Sequence, residues 1–153
     1  MTRRNGGFGG WQGMRRSTDR TWADAAIETH ICRGCDEWHH GKKPAACSKC
    51  GRMDFESFGS KGEAKWWVRL LARQERGEIA ELERQFRIRL LTVHHRTGKP
   101  VAWGEYVADF RWLDTATGER VVAECKPGGG MTYESQLKVR CCEAMGIPIE
   151  MLT

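Results

Sequence analysis

The chain has 153 residues, 40% of them hydrophobic and 29% charged, with a net charge of +5 and a pI near 8.9. That is enough for one modest domain and a small appendage, and the charge balance permits an anionic partner without requiring one. The longest apolar runs are too short to cross a bilayer, and the N-terminus has no apolar signal core, so a cytoplasmic protein without membrane contact is expected.

Residues 1–20 are rich in glycine and carry Arg3, Arg4, Arg15, Arg16 and Arg20 without any apolar period. They read as a disordered basic arm, either an inert tail or one that touches nucleic acid. Trp22 to Ile27 can make a short helix leading into the next segment. Over residues 21–56, Cys32, Cys35, Cys47 and Cys50 form the pattern C-x2-C-x11-C-x2-C. Each C-x2-C pair makes a tight turn that aims two sulfurs at one point, and four thiolates complete a closed tetrahedral zinc site. An odd cysteine count in a reducing compartment likewise favours thiols and metal ligation over disulfides. The segment has few apolar residues, so zinc binding, on the order of 10 kcal/mol or more, supplies its folding energy. His39 and His40 lie between the pairs and read as exposed loop residues. This small zinc ribbon leaves no open coordination position for catalysis.

Residues 57–153 change pattern. Ser60-Lys61-Gly62-Glu63 reads as a capping box, followed by Ala64, Trp67, Val68 and Leu71 at helical spacing, with the helix ending near Arg76-Gly77. Arg84 to Leu90 alternates as a strand with the basic residues Arg87 and Arg89 on one face, and Arg84, Arg87 and Arg89 either line a DNA-facing surface or simply cover the outside of the sheet. Turn chemistry from His94 to Pro100 precedes a second strand, Tyr106 to Trp112, and Thr115 to Gly118 turns the chain into a third, Val121 to Lys126. After the glycine-rich stretch 127–130, a second helix is expected from about Thr132 to Met145 with Leu137, Cys141 and Ala144 as its buried stripe. Gly146 stops it, and Ile147 to Met151 is a last strand. A strand reached by a helical crossover runs parallel to its neighbour, so the sheet is expected to be mixed. Cys125, Cys141 and Cys142 read as small buried hydrophobes, and the tryptophans at 66, 67, 103 and 112 as core or interface.

Side chains alternate along a strand, so Glu124 and Lys126 point the same way. If the second and third strands pair, Asp109 joins them, and two carboxylates and an ammonium converge on one patch of sheet. Such a patch suits a divalent cation and phosphodiester cleavage. Each residue also has a plainer reading. Glu63 can be only a capping carboxylate, and Glu124 with Lys126 only a surface pair worth at most ~1 kcal/mol. Asp109 is harder to dismiss, because aspartate is disfavoured inside strands.

The order helix, three strands, helix, strand resembles the PD-(D/E)XK nuclease superfamily. The segments that carry the likeness are Ser60 to Ala64, Leu82-Glu83-Arg84-Gln85, Tyr106 to Phe110 and Glu124-Cys125-Lys126. More narrowly they resemble phage-encoded endonucleases related to Holliday-junction-cleaving enzymes. The resemblance covers about residues 57–153; Ala108 stands where the superfamily's name has proline, and Pro127 follows Lys126. It implies a restriction-endonuclease-like αβββαβ core. Asp109, Glu124 and the backbone carbonyl of Cys125 would bind Mg2+ or Mn2+, and Lys126 would position the attacking water. Glu63 would reach a metal water or second ion, and Tyr133 and Lys138 would contact phosphate. The implied activity is structure-selective cleavage of branched DNA by a homodimer, leaving a 5′-phosphate and a 3′-hydroxyl. Nicking or restriction-like cutting of plain duplex, and a non-catalytic zinc-ribbon DNA-binding module, are the alternatives.

Overall fold

The computed structural model describes residues 27–126 and 131–153. The basic arm, most of the helix expected from Trp22 to Ile27, and the stretch 127–130 lie outside the described residues. Three short strands come first: β1 (Thr29–Cys32), β2 (Trp38–His40) and β3 (Phe55–Phe58), forming an antiparallel sheet in the order β2-β1-β3. Helix α1 (Lys61–Glu75) leads to β4 (Ile79–Val93), β5 (Pro100–Asp114) and β6 (Arg120–Cys125), then α2 (Tyr133–Ala144) and β7 (Ile149–Leu152). The second sheet has the order β4-β5-β6-β7, antiparallel except for the parallel pair β6–β7 that the crossover through α2 demands. The protein is thus a mixed α/β molecule with two sheets and two helices among the described residues. None of its described helices is long and apolar enough to cross a membrane.

Helix α1 begins where its sequence says it should. Ser60 is the N-cap, and its hydroxyl accepts the Glu63 N–H at 3.1 Å. Glu63 returns the bond one residue earlier than a capping box would, accepting the Gly59 N–H at 3.0 Å. The buried face is rotated from expectation: Ala64 and Leu70 are buried, whereas Val68 is exposed. Trp67 lies nearly parallel to the Phe110 ring, centroids 6.3 Å apart, so that indole packs within the chain. In α2 the buried residues are Val139 and Cys142, not the stripe Leu137, Cys141, Ala144; Leu137 and Ala144 are exposed. Apolar residues are spread around that helix, so its facing is chosen by the sheet beneath it and not by its own period.

The sheet is buried on both faces. One core joins Ile88, Leu90, Tyr106, Ala108 and Val122 to Val139 and Cys142 of α2. The other joins Ile79, Phe110, Trp112, Ala123 and Cys125 to Leu70 of α1. Tyr106, Ala108, Phe110 and Trp112 are all buried alternate residues of β5, yet they divide between the two cores. Strict alternation would put them on one face. The switch has a backbone cause on the neighbouring strand. Gln85 holds a left-handed φ of +54°, unusual for a residue with a side chain. Arg84 before it lies over Phe58 and Trp67 on the α1 side, while Phe86 after it packs with the α2 core. The ladder Arg84↔Phe110, Phe86↔Ala108 puts Gln85 opposite Asp109.

Strands β4 and β5 are each 15 residues long, far beyond the expected Arg84–Leu90 and Tyr106–Trp112. Apolar residues continue through Leu91, Val93, Val101 and Trp103, and the pairing resumes after a register shift between Leu90 and Leu91 and runs on to the turn at 94–99. At the other end of the chain order, β3 runs to Phe58, across the expected boundary at residue 56. Phe58 and Ile31 share a small core with Ala64 of α1, which fastens the first sheet to the helix.

Candidate functional site

Two groups of side chains can hold a cation, and they are built differently. In the first, Cys32 ends β1, Cys35 follows in the turn, and Cys47 and Cys50 flank a second turn closed by Gly51 N–H on the Cys47 carbonyl at 2.9 Å. The sulfurs of Cys32 and Cys50 are 3.5 Å apart, those of Cys35 and Cys47 3.6 Å, and all four lie within 4.8 Å of one another. Ligands about 2.3 Å from a tetrahedral ion stand about 3.8 Å apart, so the quartet has the spacing of a structural zinc site and not of disulfides. His39 is not a loop residue. It sits in β2 with its ring edge-on to Phe55, centroids 5.4 Å apart. His30, buried on β1, bonds Ser57 Oγ at 2.8 Å and the Gly41 carbonyl at 2.9 Å, which ties β3 and the turn after β2 to the central strand.

The second group lies where β5 and β6 part. Their last ladder pair in this direction is Phe110↔Ala123, and one step further puts Asp109 opposite Glu124. There the backbone ladder is replaced by a side chain: Asp109 Oδ2 accepts the Cys125 N–H at 2.8 Å. Glu124, itself buried, accepts the Tyr106 hydroxyl on Oε2 and the Lys126 ammonium on Oε1, both at 2.8 Å. The Lys126 N–H bonds the Leu152 carbonyl of β7 at 3.2 Å, while the Cys125 N–H points to β5. In an extended strand the N–H and C=O of one residue leave by the same edge, so the Cys125 carbonyl also faces the fork between β5 and β6. The buried Glu124 carboxylate, the half-buried Asp109 carboxylate and a backbone carbonyl form an oxygen-rich donor set of the kind hard divalent cations take, with the Lys126 ammonium beside it.

The electrostatics follow from crowding. Burial and the neighbouring Glu124 charge push the Asp109 carboxyl up to about 7, opposed by the Cys125 N–H and by Lys126. Burial, then Asp109, Glu63 and Glu124, push the Cys125 thiol up to about 12, which keeps it an inert neutral group in the α1 core. Burial and Glu124 also push the Tyr106 phenol upward, so it stays a hydrogen-bond donor.

Glu63 approaches the fork from the α1 side, near enough that its charge also raises the Asp109 carboxyl, but its own oxygens are taken. Its carboxylate is occupied by the Gly59 N–H, by Arg84 Nη2 at 3.2 Å and by Gln85 Nε2 at 3.5 Å. Among the described residues only the cysteine quartet brings three or more possible ligand atoms within 4.8 Å of one another, so Glu63 does not complete a three-carboxylate cluster with Asp109 and Glu124. Arg84 is the residue whose expected place differs most. It is not presented to an open surface: its guanidinium also bonds Glu56 Oε1 at 3.1 Å and the Ser57 carbonyl at 2.8 Å, and lies 4.0 Å from the Phe58 ring centroid. It joins the cysteine module to α1. Arg87 is exposed and paired with Glu105 across the hairpin. Arg89 is exposed. On α2, Tyr133 is exposed and Lys138 pairs with Glu134 one turn earlier at 2.8 Å, which holds the Glu134 carboxyl below its usual range.

Tyr106 and Gln85 are the site residues that residue-by-residue reasoning missed, although both fall in segments singled out for their motifs. A tyrosine at an inward strand position with a buried glutamate on the next strand is a legible signal, because a buried hydroxyl needs a partner. Gln85 gives no such signal, since a positive φ at a glutamine is set by its surroundings. No curated protein and no solved structure matches the chain. Residues 47–145, which take in the second cysteine pair, α1, the β4–β6 meander with its acidic fork, and α2, match a family described as protein of unknown function, DUF1064, and the chain belongs to that family.

Proposed function

We propose that this protein is a divalent-metal-dependent endonuclease that cuts branched DNA, built on a PD-(D/E)XK-like core with a structural zinc module. The observation that carries the reading is the fork: Asp109 and Glu124 face each other where two strands separate, with Lys126 on Glu124 and the Cys125 backbone turned into the gap. Its four contributors sit on the second and third strands of a helix, three-strand, helix, strand core, in the order the superfamily likeness implies.

In this reading Asp109, Glu124 and the Cys125 carbonyl would hold Mg2+ or Mn2+. A bound divalent cation lowers the pKa of water and neutralises charge on an attacked phosphate. Tyr106 fixes one oxygen of Glu124 and leaves the carboxylate a single orientation. Lys126, half-buried beside it, hydrogen-bonds the attacking water and offsets the negative charge that grows on the phosphate. Asp109, with one oxygen fixed by the Cys125 N–H, would bind such a cation through its carboxylate. Glu63 orients water from the helix side once Arg84 releases it, and Tyr133 and Lys138 contact phosphates along α2. In-line displacement leaves a 5′-phosphate and a 3′-hydroxyl. A branched substrate needs two coordinated cuts, so the working form is a homodimer, acting in the cytoplasm of the cell that hosts it.

The test is a cleavage panel of four-way junction, flap and linear duplex with Mg2+, Mn2+ or neither. Junction cutting that requires the added metal and disappears in Asp109→Ala and Lys126→Ala, with folding and DNA binding retained, is the expected result. Salt-sensitive binding without any cutting would leave only a DNA-binding module. Equal cutting of plain duplex would assign a nicking or restriction-like enzyme instead.

A further inference from the structure

The hairpin of β4 and β5 outgrows the sheet that supports it. Every residue from Leu91 to Trp103 is exposed, and β6 pairs with β5 only over Phe110 to Leu113. The outer part is an ordered two-stranded ribbon, with rungs Leu91↔Ala102, Thr92↔Val101 and Val93↔Pro100. Its turn is closed by His94 N–H on the Lys99 carbonyl at 2.9 Å and by Gly98, at φ +67°, donating to the His94 carbonyl at 2.9 Å. A register shift between Leu90 and Leu91 sets Trp103 off as an extra residue on β5.

The ribbon's charge has one sign. No acidic residue occurs between Arg84 and Gly104, a stretch that contains Arg87, Arg89, Arg96 and Lys99. Arg87 is tied to Glu105, but Arg89, Arg96 and Lys99 form no ion pair among the described residues. Apolar side chains lie among them: Val93 and Trp103 are 65% and 48% exposed, and Leu91 and Val101 are exposed as well. Natural proteins do not leave a projecting apolar strand pair open without a use for it.

We infer that this ribbon is a DNA-contacting arm that enters the major groove of a duplex, with Arg89, Arg96 and Lys99 on phosphates and Trp103 and Val101 against the groove wall. The inference rests on the DNA reading above, and it assigns that reading a surface remote from the acidic fork. Two strands about 4.8 Å apart, with their side chains, match a groove about 12 Å wide. A polyanion complements unpaired cations of a single sign. A second copy of the chain laid ribbon to ribbon would set like charges against like.

The test uses Asp109→Asn protein, so that binding is read without cutting, titrated with a fluorescent duplex and a four-way junction at stepped salt. Replacing Arg89, Arg96 and Lys99 together by alanine is expected to weaken binding of both at least tenfold. The salt slope should become shallower by about two to three, near 0.9 for each phosphate no longer neutralised. Zinc content and melting temperature should not change, since all three residues are exposed. Unchanged affinity and slope in a protein that binds DNA would overturn the arm and leave the nuclease reading standing. No DNA binding by either protein would remove both. If Trp103→Ala turns a dimer into a monomer in sedimentation while DNA affinity holds, the face belongs to a second copy and the inference fails.

Discussion

The cysteine quartet and the acidic fork both offer a place for a cation, but they are assembled over different distances. Four sulfurs come from two turns within residues 32–50, and each turn places its pair regardless of what the rest of the chain does. The fork takes Asp109 from a long strand, Glu124 and Lys126 from a short one, and Tyr106 from the far side of Ala108, and it exists only if the β5–β6 register is right. A local site brings folding energy to its segment. A site made by register takes folding energy from the surrounding cores, because it crowds a buried and a half-buried carboxylate around one ammonium.

That contrast can be broken by measurement. The largest effect is expected at the cysteines: stripping zinc, or Cys47→Ser, should unfold the first sheet, a loss on the order of 10 kcal/mol of metal-linked stability. Metal stoichiometry with circular dichroism reads it, and a sheet that stays folded without zinc would refute the local-site account. Next comes Arg84→Ala, which strands the buried Glu63 carboxylate and should cost about 3 kcal/mol in chemical denaturation. Tyr106→Phe removes one hydrogen bond to a charged acceptor and should cost about 1.5–3 kcal/mol. In the proposed enzyme it should also lower cleavage more than substrate affinity. Arg87→Ala, at an exposed pair, should change stability by less than about 0.5 kcal/mol. At the bottom of the scale, Asp109→Asn should leave the metal-free melting temperature unchanged or raise it, since it removes one of two crowded carboxylates. The same change should abolish any rise in melting temperature on adding Mg2+. A large loss of stability in Asp109→Asn would mean that the fork is structural.

The sequence made the local site legible and the distributed one only in outline. Cysteine spacing specified the sulfur cluster because two-residue turns have few geometries. The strand order and the parallel last pair followed from helix and strand periods plus the handedness of crossovers. The faces of α1 and α2 did not, because Val68 and Leu137 are apolar residues that the tertiary fit leaves outside. Arg84 looked like a surface cation in an alternating strand, and only the meeting of β3, α1 and β4 turns it into a link between two carboxylates. His39 looked like a loop residue because a three-residue strand is too short to show a period.

The division of β5 between two cores has a mechanical meaning. Tyr106 and Ala108 are gripped by α2's layer, Phe110 and Trp112 by α1's, and Asp109 is the residue between the two grips. Each layer can be repacked with little effect on the other, since they share no buried side chain. What they share is the stretch of backbone that sets the gap to Glu124. A small rotation of one layer against the other is therefore concentrated at a single carboxylate, and the width of the fork becomes the quantity through which distant packing reaches the pair Asp109 and Glu124.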